Sequence, residues 1–208
     1  MAAELMIWLN SSDFVDVVPQ WTKGVSDDKL EPYLRETQSK FRLSVPAALY
    51  TALNTVARAN YKNWSRTKTY SISDRVLWNN RLYSSLTSHS GSEPPNETNW
   101  DELDMWVVWR DYVKPFLIWS SAAMYASFAD KHFSQEGTRR VISPSTDPLT
   151  PEELGDMVNK LQSTADRYYL AFREYMDDNS QTIDGTDYTA TSSDEVRDYK
   201  PKNRIRIV

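Results

Sequence analysis

The sequence predicts a mainly α protein with a helical core, an inserted small antiparallel β module and an extended C-terminal tail. Three observations carry this expectation. Apolar residues recur at helical spacing on both sides of a turn-rich stretch; period-two alternation marks that stretch, Trp64 to Leu103; and beyond Ser180 the chain becomes polar and acidic. The organisation that follows is 1–63 for an N-terminal segment and the first helices, 64–103 for the β module, 104–179 for long helices completing the core, and 180–208 for the tail. A chain of 208 residues and 24.1 kDa suffices for one well-buried core plus a small module.

The first helix is marked by Ser26, Asp27 and Asp28 ahead of Leu30, Tyr33, Leu34, Thr37 and Phe41, acids in a first turn followed by an apolar face. Pro32 is expected in that first turn, where it is tolerated. A second helix is expected with Ser44 as its cap and Pro46 in its first turn, burying Leu49, Leu53 and Val56 and ending near Asn60. After the β stretch, Trp106, Trp109, Val113, Phe116, Ser120, Ala123 and Ser127 form one seam, predicting a helix from Asp104 to about Lys131, roughly 40 Å long. Pro115 is expected to kink or split it. Ala122, Ala123 and Ala126 thin one face for a close neighbour. The last helix has the clearest start, with Thr150 as cap, Pro151 at the first helical position and Glu153 closing a capping box. Its face runs Leu154, Met157, Val158, Leu161, Ala165, Tyr168, Tyr169, Phe172 and Met176. Between these helices, Gln135 to Pro148 predicts a loop with a short strand at Arg140 to Ile142.

Within the β stretch, Tyr70, Ile72, Asp74, Val76 and Trp78 read as one strand, Asn79-Asn80 as a tight turn and Leu82 to Leu86 as the returning strand. Ser90-Gly91-Ser92 and Pro94-Pro95 lead back to Trp100, which is expected to close a miniature core around Tyr70, Trp78 and Tyr83. In the tail, Lys202, Arg204 and Arg206 alternate with Ile205, Ile207 and Val208, a basic strand-like end on an acidic leash. Arg204, Ile205, Arg206, Ile207 and Val208 are therefore candidate assembly contacts, suited to adding a strand to a neighbouring subunit's sheet.

Composition narrows the function. Eight Trp and twelve Tyr exceed what a core this size needs, which points to interfaces or to stacking on sugars or bases. A net charge of -5 without a basic stripe argues against a general nucleic-acid binder. With no cysteine, thiolate catalysis, disulfides and Cys-based zinc sites are excluded. The N-terminal apolar run carries Glu4 and Asp13 and no basic n-region, so it does not read as a secretory signal, and the sequons at Asn10, Asn63 and Asn96 read as unused. No apolar run reaches the length of a membrane span. There is no phosphate loop, dinucleotide fingerprint or nucleophile elbow. His89 and His132 lack ligand spacing, while Glu152-Glu153 and Asp177-Asp178 sit at helix ends. No catalytic residue, metal site or cofactor is expected, and the chain is not read as an enzyme.

Two resemblances add to this. Tyr70, Ser73-Asp74, Val76, Trp78, Asn79-Asn80, Tyr83, Gly91, Pro94 and Trp100 follow the pattern of the small carbohydrate-binding modules of chitinases and cellulases. Where those modules continue into exposed aromatics, this chain has Ser84-Ser85-Leu86-Thr87. The resemblance implies glycan contacts at Trp78 and Trp100, and a carbohydrate-binding virion module acting in host-surface attachment as an alternative function.

Outside that stretch, the order KLEPYLRETQ (Lys29 to Gln38), AALYTAL (Ala47 to Leu53), WRDYVKPFLIW (Trp109 to Trp119), a Gly-containing loop and a long last helix with Tyr168 and Tyr169 resembles the head-to-tail connector, or adaptor, proteins of tailed phages infecting Bacteroidetes, including crAss-like phage ring proteins. The resemblance implies a structural virion protein at the head-tail junction or tail, assembled in the host cytoplasm. It implies a homo-oligomeric ring, typically of twelve copies, that contacts the portal protein and neighbouring tail or ring proteins. DNA would pass through the ring without specific binding, and no membrane would be involved.

Overall fold

The computed structural model of the chain describes residues 7–15, 17–18, 25–132, 150–179 and 183. Three helices come first: α1 (Ser12–Val15), α2 (Asp27–Ser44) and α3 (Ala47–Arg58). The expected face of α2 is buried at Leu30, Leu34, Thr37 and Phe41, and that of α3 at Leu49, Leu53 and Val56. Two local expectations are corrected. Pro32 is the sixth residue of α2 and not part of its first turn, so the Asp28 carbonyl, on an exposed residue, lacks the donor four residues on. Ser44 ends α2, its hydroxyl donating to the Phe41 carbonyl at 2.8 Å, and Pro46 takes the cap position of α3. The cause is Pro46 itself, which holds Val45 extended (φ -128, ψ 155) and so separates the two helices there.

The β region holds six short strands: β1 (Lys62–Asn63), β2 (Thr69–Tyr70), β3 (Arg75–Trp78), β4 (Arg81–Ser85), β5 (His89–Ser90) and β6 (Trp100–Glu102). Four of them form a mixed sheet in the order β1-β3-β4-β6, with β1 parallel to β3 and the other pairs antiparallel, while β2 and β5 pair separately. The single strand expected from Tyr70 to Trp78 is two, because Ser73 at φ 69 ends the extended run. Asp74 closes the turn: its N–H reaches the Ser71 carbonyl (3.0 Å), and its carboxylate accepts from the Ser71 N–H (2.9 Å).

Helices resume at α4 (Asp104–Val107), followed by a π-helical turn (Val108–Val113), α5 (Lys114–His132) and α6 (Pro151–Asn179). The π turn answers the question posed by Pro115. That residue has no N–H for the Asp111 carbonyl and its ring crowds it; widening the preceding turn, with Lys114 N–H bonded to Trp109 O, keeps the chain helical past the proline. α5 is enclosed on several sides, with Phe116, Leu117, Ile118, Ser120, Ser121, Ala122 and Ala123 all buried between α2 and α6. Ala122 and, on α6, Ala165 are both fully buried. The capping box of α6 forms as its residues require: the Glu153 N–H donates to the Thr150 hydroxyl (3.2 Å) and the Thr150 N–H to the Glu153 carboxylate (3.0 Å).

The expectation of a mainly α chain with an inserted module is overturned: the fold is mixed α and β. The sheet begins at Lys62, directly after α3, includes a parallel pair, and runs from β6 into α4 with only Leu103 between them. It also brings a buried cluster of its own, Tyr70, Val76, Tyr83 and Trp100, beside the larger helical cluster around Leu30, Phe41, Leu53, Val113, Leu117 and Phe172. The expected strand at Arg140 to Ile142 and the tail end Arg204 to Val208 lie outside the described residues, as does the side chain of His132.

Candidate functional site

The β region and its seat on the helices bring together most of the residues that the sequence singled out. Asn79 and Asn80 both adopt positive φ (48 and 62), the backbone of a two-residue hairpin turn whose twist matches its strands, and Asn tolerates it better than most residues. Register pairs Trp78 with Arg81, Leu77 with Leu82, Val76 with Tyr83 and Arg75 with Ser84. Side chains therefore sort to two faces. Val76, Tyr83 and Trp100 share one, where Tyr70 joins them; Arg75, Ser84 and Asp101 form a cross-strand row on the other.

Trp100 is at the centre of the small core. It is only 3% exposed, its indole N–H donates to the Ser92 carbonyl (3.0 Å), and its rings meet Tyr70 (5.1 Å) and His89 (4.7 Å) edge-on. A ring so enclosed is a core residue and offers no platform for a sugar, so its assignment as a glycan contact is corrected. Trp78 is half-buried and meets Trp64 edge-on at 5.0 Å, and Trp64 in turn donates to the same Ser92 carbonyl. Tyr70 is fully buried, with its hydroxyl accepting from the Ser65 N–H (2.6 Å) and donating to the Ser65 carbonyl (3.1 Å). Gly91, at φ +73, turns the loop that carries Ser92.

The junction with the helices rests on the hairpin turn. The Asn80 carbonyl accepts hydrogen bonds from the Trp106 indole N–H (3.0 Å) and the Arg110 guanidinium, and Trp106 also packs edge-on against Tyr61. Arg110 is held by Asp111, a hydrogen-bonded contact that raises its already high pKa. Next to it, Glu102 accepts two bonds from Arg81 (2.8 and 3.0 Å), which pushes Arg81 up in the same way. Burial, and then the Glu102 charge, raise the Tyr83 phenol. Sequence reasoning did not find this junction. Its only sequence signal was Trp106 at the start of the helical seam.

Large apolar side chains are exposed at several places, Leu43 (74%) on α2 and Leu170 (57%) on α6 among them. Ile72 (65%) and Leu86 (47%) lie at the end of the hairpin away from the Asn79-Asn80 turn. Phe128 (42%) lies near the end of α5 in an aromatic group with Tyr33 and Tyr125 (ring centroids 6.0 Å from Tyr33 to Phe128 and 5.6 Å from Tyr33 to Tyr125). Among the described residues no three His, Cys, Asp or Glu side chains gather where they could hold a metal ion, and no described helix is long and apolar enough to cross a membrane.

No curated protein and no solved structure significantly matches the chain. The profile of one family, described as a family of unknown function (DUF6712), matches residues 74–196, from within the turn before β3 to beyond α6 and over more than half of the chain. On that match, the chain belongs to the DUF6712 family.

Proposed function

We propose that this protein is a structural subunit of a phage head-to-tail connector, forming a ring that joins portal to tail and lines the DNA channel. The reading starts from the sequence order Lys29 to Gln38, Ala47 to Leu53 and Trp109 to Trp119, and one structural observation supports it. Large apolar side chains are exposed on both the sheet and the helices, Ile72 and Leu86 on the hairpin side and Leu43, Phe128 and Leu170 on the helices. From Asp104 to Phe128 the helical run spans about 36 Å. Aromatic and aliphatic side chains left uncovered on both the sheet and the helices suit a subunit that packs against other proteins.

The test is the mass and shape of the purified protein, alone and co-expressed with portal and tail proteins. Light scattering should give a closed assembly, roughly 290 kDa for twelve copies, and electron microscopy should show rings. A monomer that neither assembles nor co-purifies with portal or tail proteins refutes the proposal.

A further inference from the structure

Resting on the ring reading, we infer that the outer edge of β6 receives the C-terminal segment Arg204–Val208 of a neighbouring copy as an added strand. The sheet order β1-β3-β4-β6 leaves β6 at an edge among the described residues. Its hydrogen bonding fixes which groups face out. Asn99 accepts from the Leu86 N–H and Leu103 donates to the Leu82 carbonyl, so positions 99, 101 and 103 turn their backbone toward β4, while Trp100 and Glu102 turn theirs outward. The Trp100 N–H is taken by the Asn96 carbonyl (2.7 Å). Among the described residues the Trp100 carbonyl and the Glu102 N–H and carbonyl take no backbone partner, and they form the edge that another strand would pair.

The side chains along this edge alternate in the sense that the C-terminus needs. Trp100 faces the buried cluster with Tyr83, whereas Asp101 is exposed on the opposite face and makes no ion pair among the described residues. In the C-terminal segment, Arg204 and Arg206 alternate with Ile205 and Ile207. Backbone pairing of Ile205 or Ile207 with Glu102 puts the isoleucines on the Trp100 face, extending its apolar cluster. It also puts the arginines beside Asp101, at a non-hydrogen-bonded position where side chains come closest. The opposite edge, β1, presents Lys62 and lacks this charge match.

Reach is sufficient. Ile183 is buried in the helical core, and 20 residues lie between it and Arg204, a contour of up to about 70 Å. The end of α6 lies beside the segment that continues from β6, with Tyr175 packed on Tyr112 at 5.0 Å.

The absence of cysteine makes a disulfide test clean. Full-length Asp101→Cys protein is mixed with full-length Arg204→Cys or Arg206→Cys protein under conditions where light scattering shows assembly, then oxidised and run without reductant. A disulfide-linked dimer is expected for at least one of these mixtures, about tenfold above the Lys62→Cys and Arg206→Cys mixture, because cross-strand neighbours meet the distance a disulfide needs. Assembled protein with no such dimer overturns the inference and leaves the ring reading standing. Cross-linking seen only when both cysteines are in one chain, as a monomer of altered mobility, assigns the edge to the chain's own tail and also overturns it. Protein that neither assembles nor cross-links overturns both.

Discussion

Truncating Trp100 to alanine should unfold the sheet while leaving the helices folded. The side chain is 3% exposed, it makes two edge-on aromatic contacts, and its N–H has a 3.0 Å acceptor in the Ser92 carbonyl. Removing a buried Trp costs about 3–5 kcal/mol, a sum that includes about 1 kcal/mol for the lost hydrogen bond. Among the described residues the cluster it belongs to contains Tyr70, Val76 and Tyr83 besides itself, with Trp64 and Trp78 packed at the margin. A core of that size supplies only about 3–5 kcal/mol in total, so the loss matches everything that holds the strands together. The helical cluster is a separate set of residues and should not be affected. Hydrogen exchange read by mass spectrometry is the assay. Amides of β3 to β5 in Trp100→Ala should exchange near the unfolded rate while those of α5 and α6 keep their protection; Leu117→Ala should show the opposite bias. Wild-type protection of β3 and β4 in Trp100→Ala would refute the assignment of Trp100 as the keystone of that core. Equal loss in strands and helices would refute the independence of the two cores.

Three smaller perturbations test local parts of the fold. Thr150→Ala removes the hydroxyl that accepts from the Glu153 N–H and should lower stability by about 1 kcal/mol in urea unfolding, with an unchanged slope. Asn79→Val places a β-branched residue at φ 48 and should cost at least about 1–2 kcal/mol, read as faster exchange of the β3 and β4 amides; an unchanged rate would show that the turn is not strained by the substitution. Burial raises the Tyr83 and Tyr125 phenols above their usual 10.0, so the folded state holds protons that the unfolded chain releases first. That contribution is fully present below pH 10 and is lost as pH rises through the folded values. Phenolate absorbance should therefore lag behind that of model tyrosine and appear together with loss of structure, and Tyr125→Phe should reduce the lag.

How much of this could be read from the chain depended on how local each determinant was. The faces of α2, α3 and α6 and the capping box at Thr150 are set within a few residues, and the sequence placed them. The Asn79-Asn80 turn is equally local. The break at Ser73 was hidden because Tyr70, Ile72, Asp74, Val76 and Trp78 alternate without interruption, while the turn is made by hydrogen bonds between Ser71 and Asp74. β1 is two exposed residues and β6 is three, too short for any period, and both exist only through pairing with distant strands. Counting such strands as a small insert is what misplaced the fold class. Trp100 failed for another reason: a tryptophan that stacks on a ligand and one that packs on Tyr70 look the same in sequence, and burial alone tells them apart.

The matched family segment adds a constraint that neither the helices nor the strands supply alone. It starts at Asp74 and runs through β3, β4 and β6 into α4, α5 and α6, so the match spans the boundary between sheet and helix and not merely one side of it. In this chain that boundary is held by the Asn80 carbonyl, with Trp106 and Arg110 donating to it. The π turn lies directly at Arg110 and sets where its guanidinium arrives. A sheet hung on the helices by a flexible linker would need none of these contacts. Their presence argues that the sheet is held in a fixed direction relative to the helical axis, and a fixed direction is what edge pairing between copies requires: β6 can accept a neighbour's strand only if its open side points the same way in every subunit.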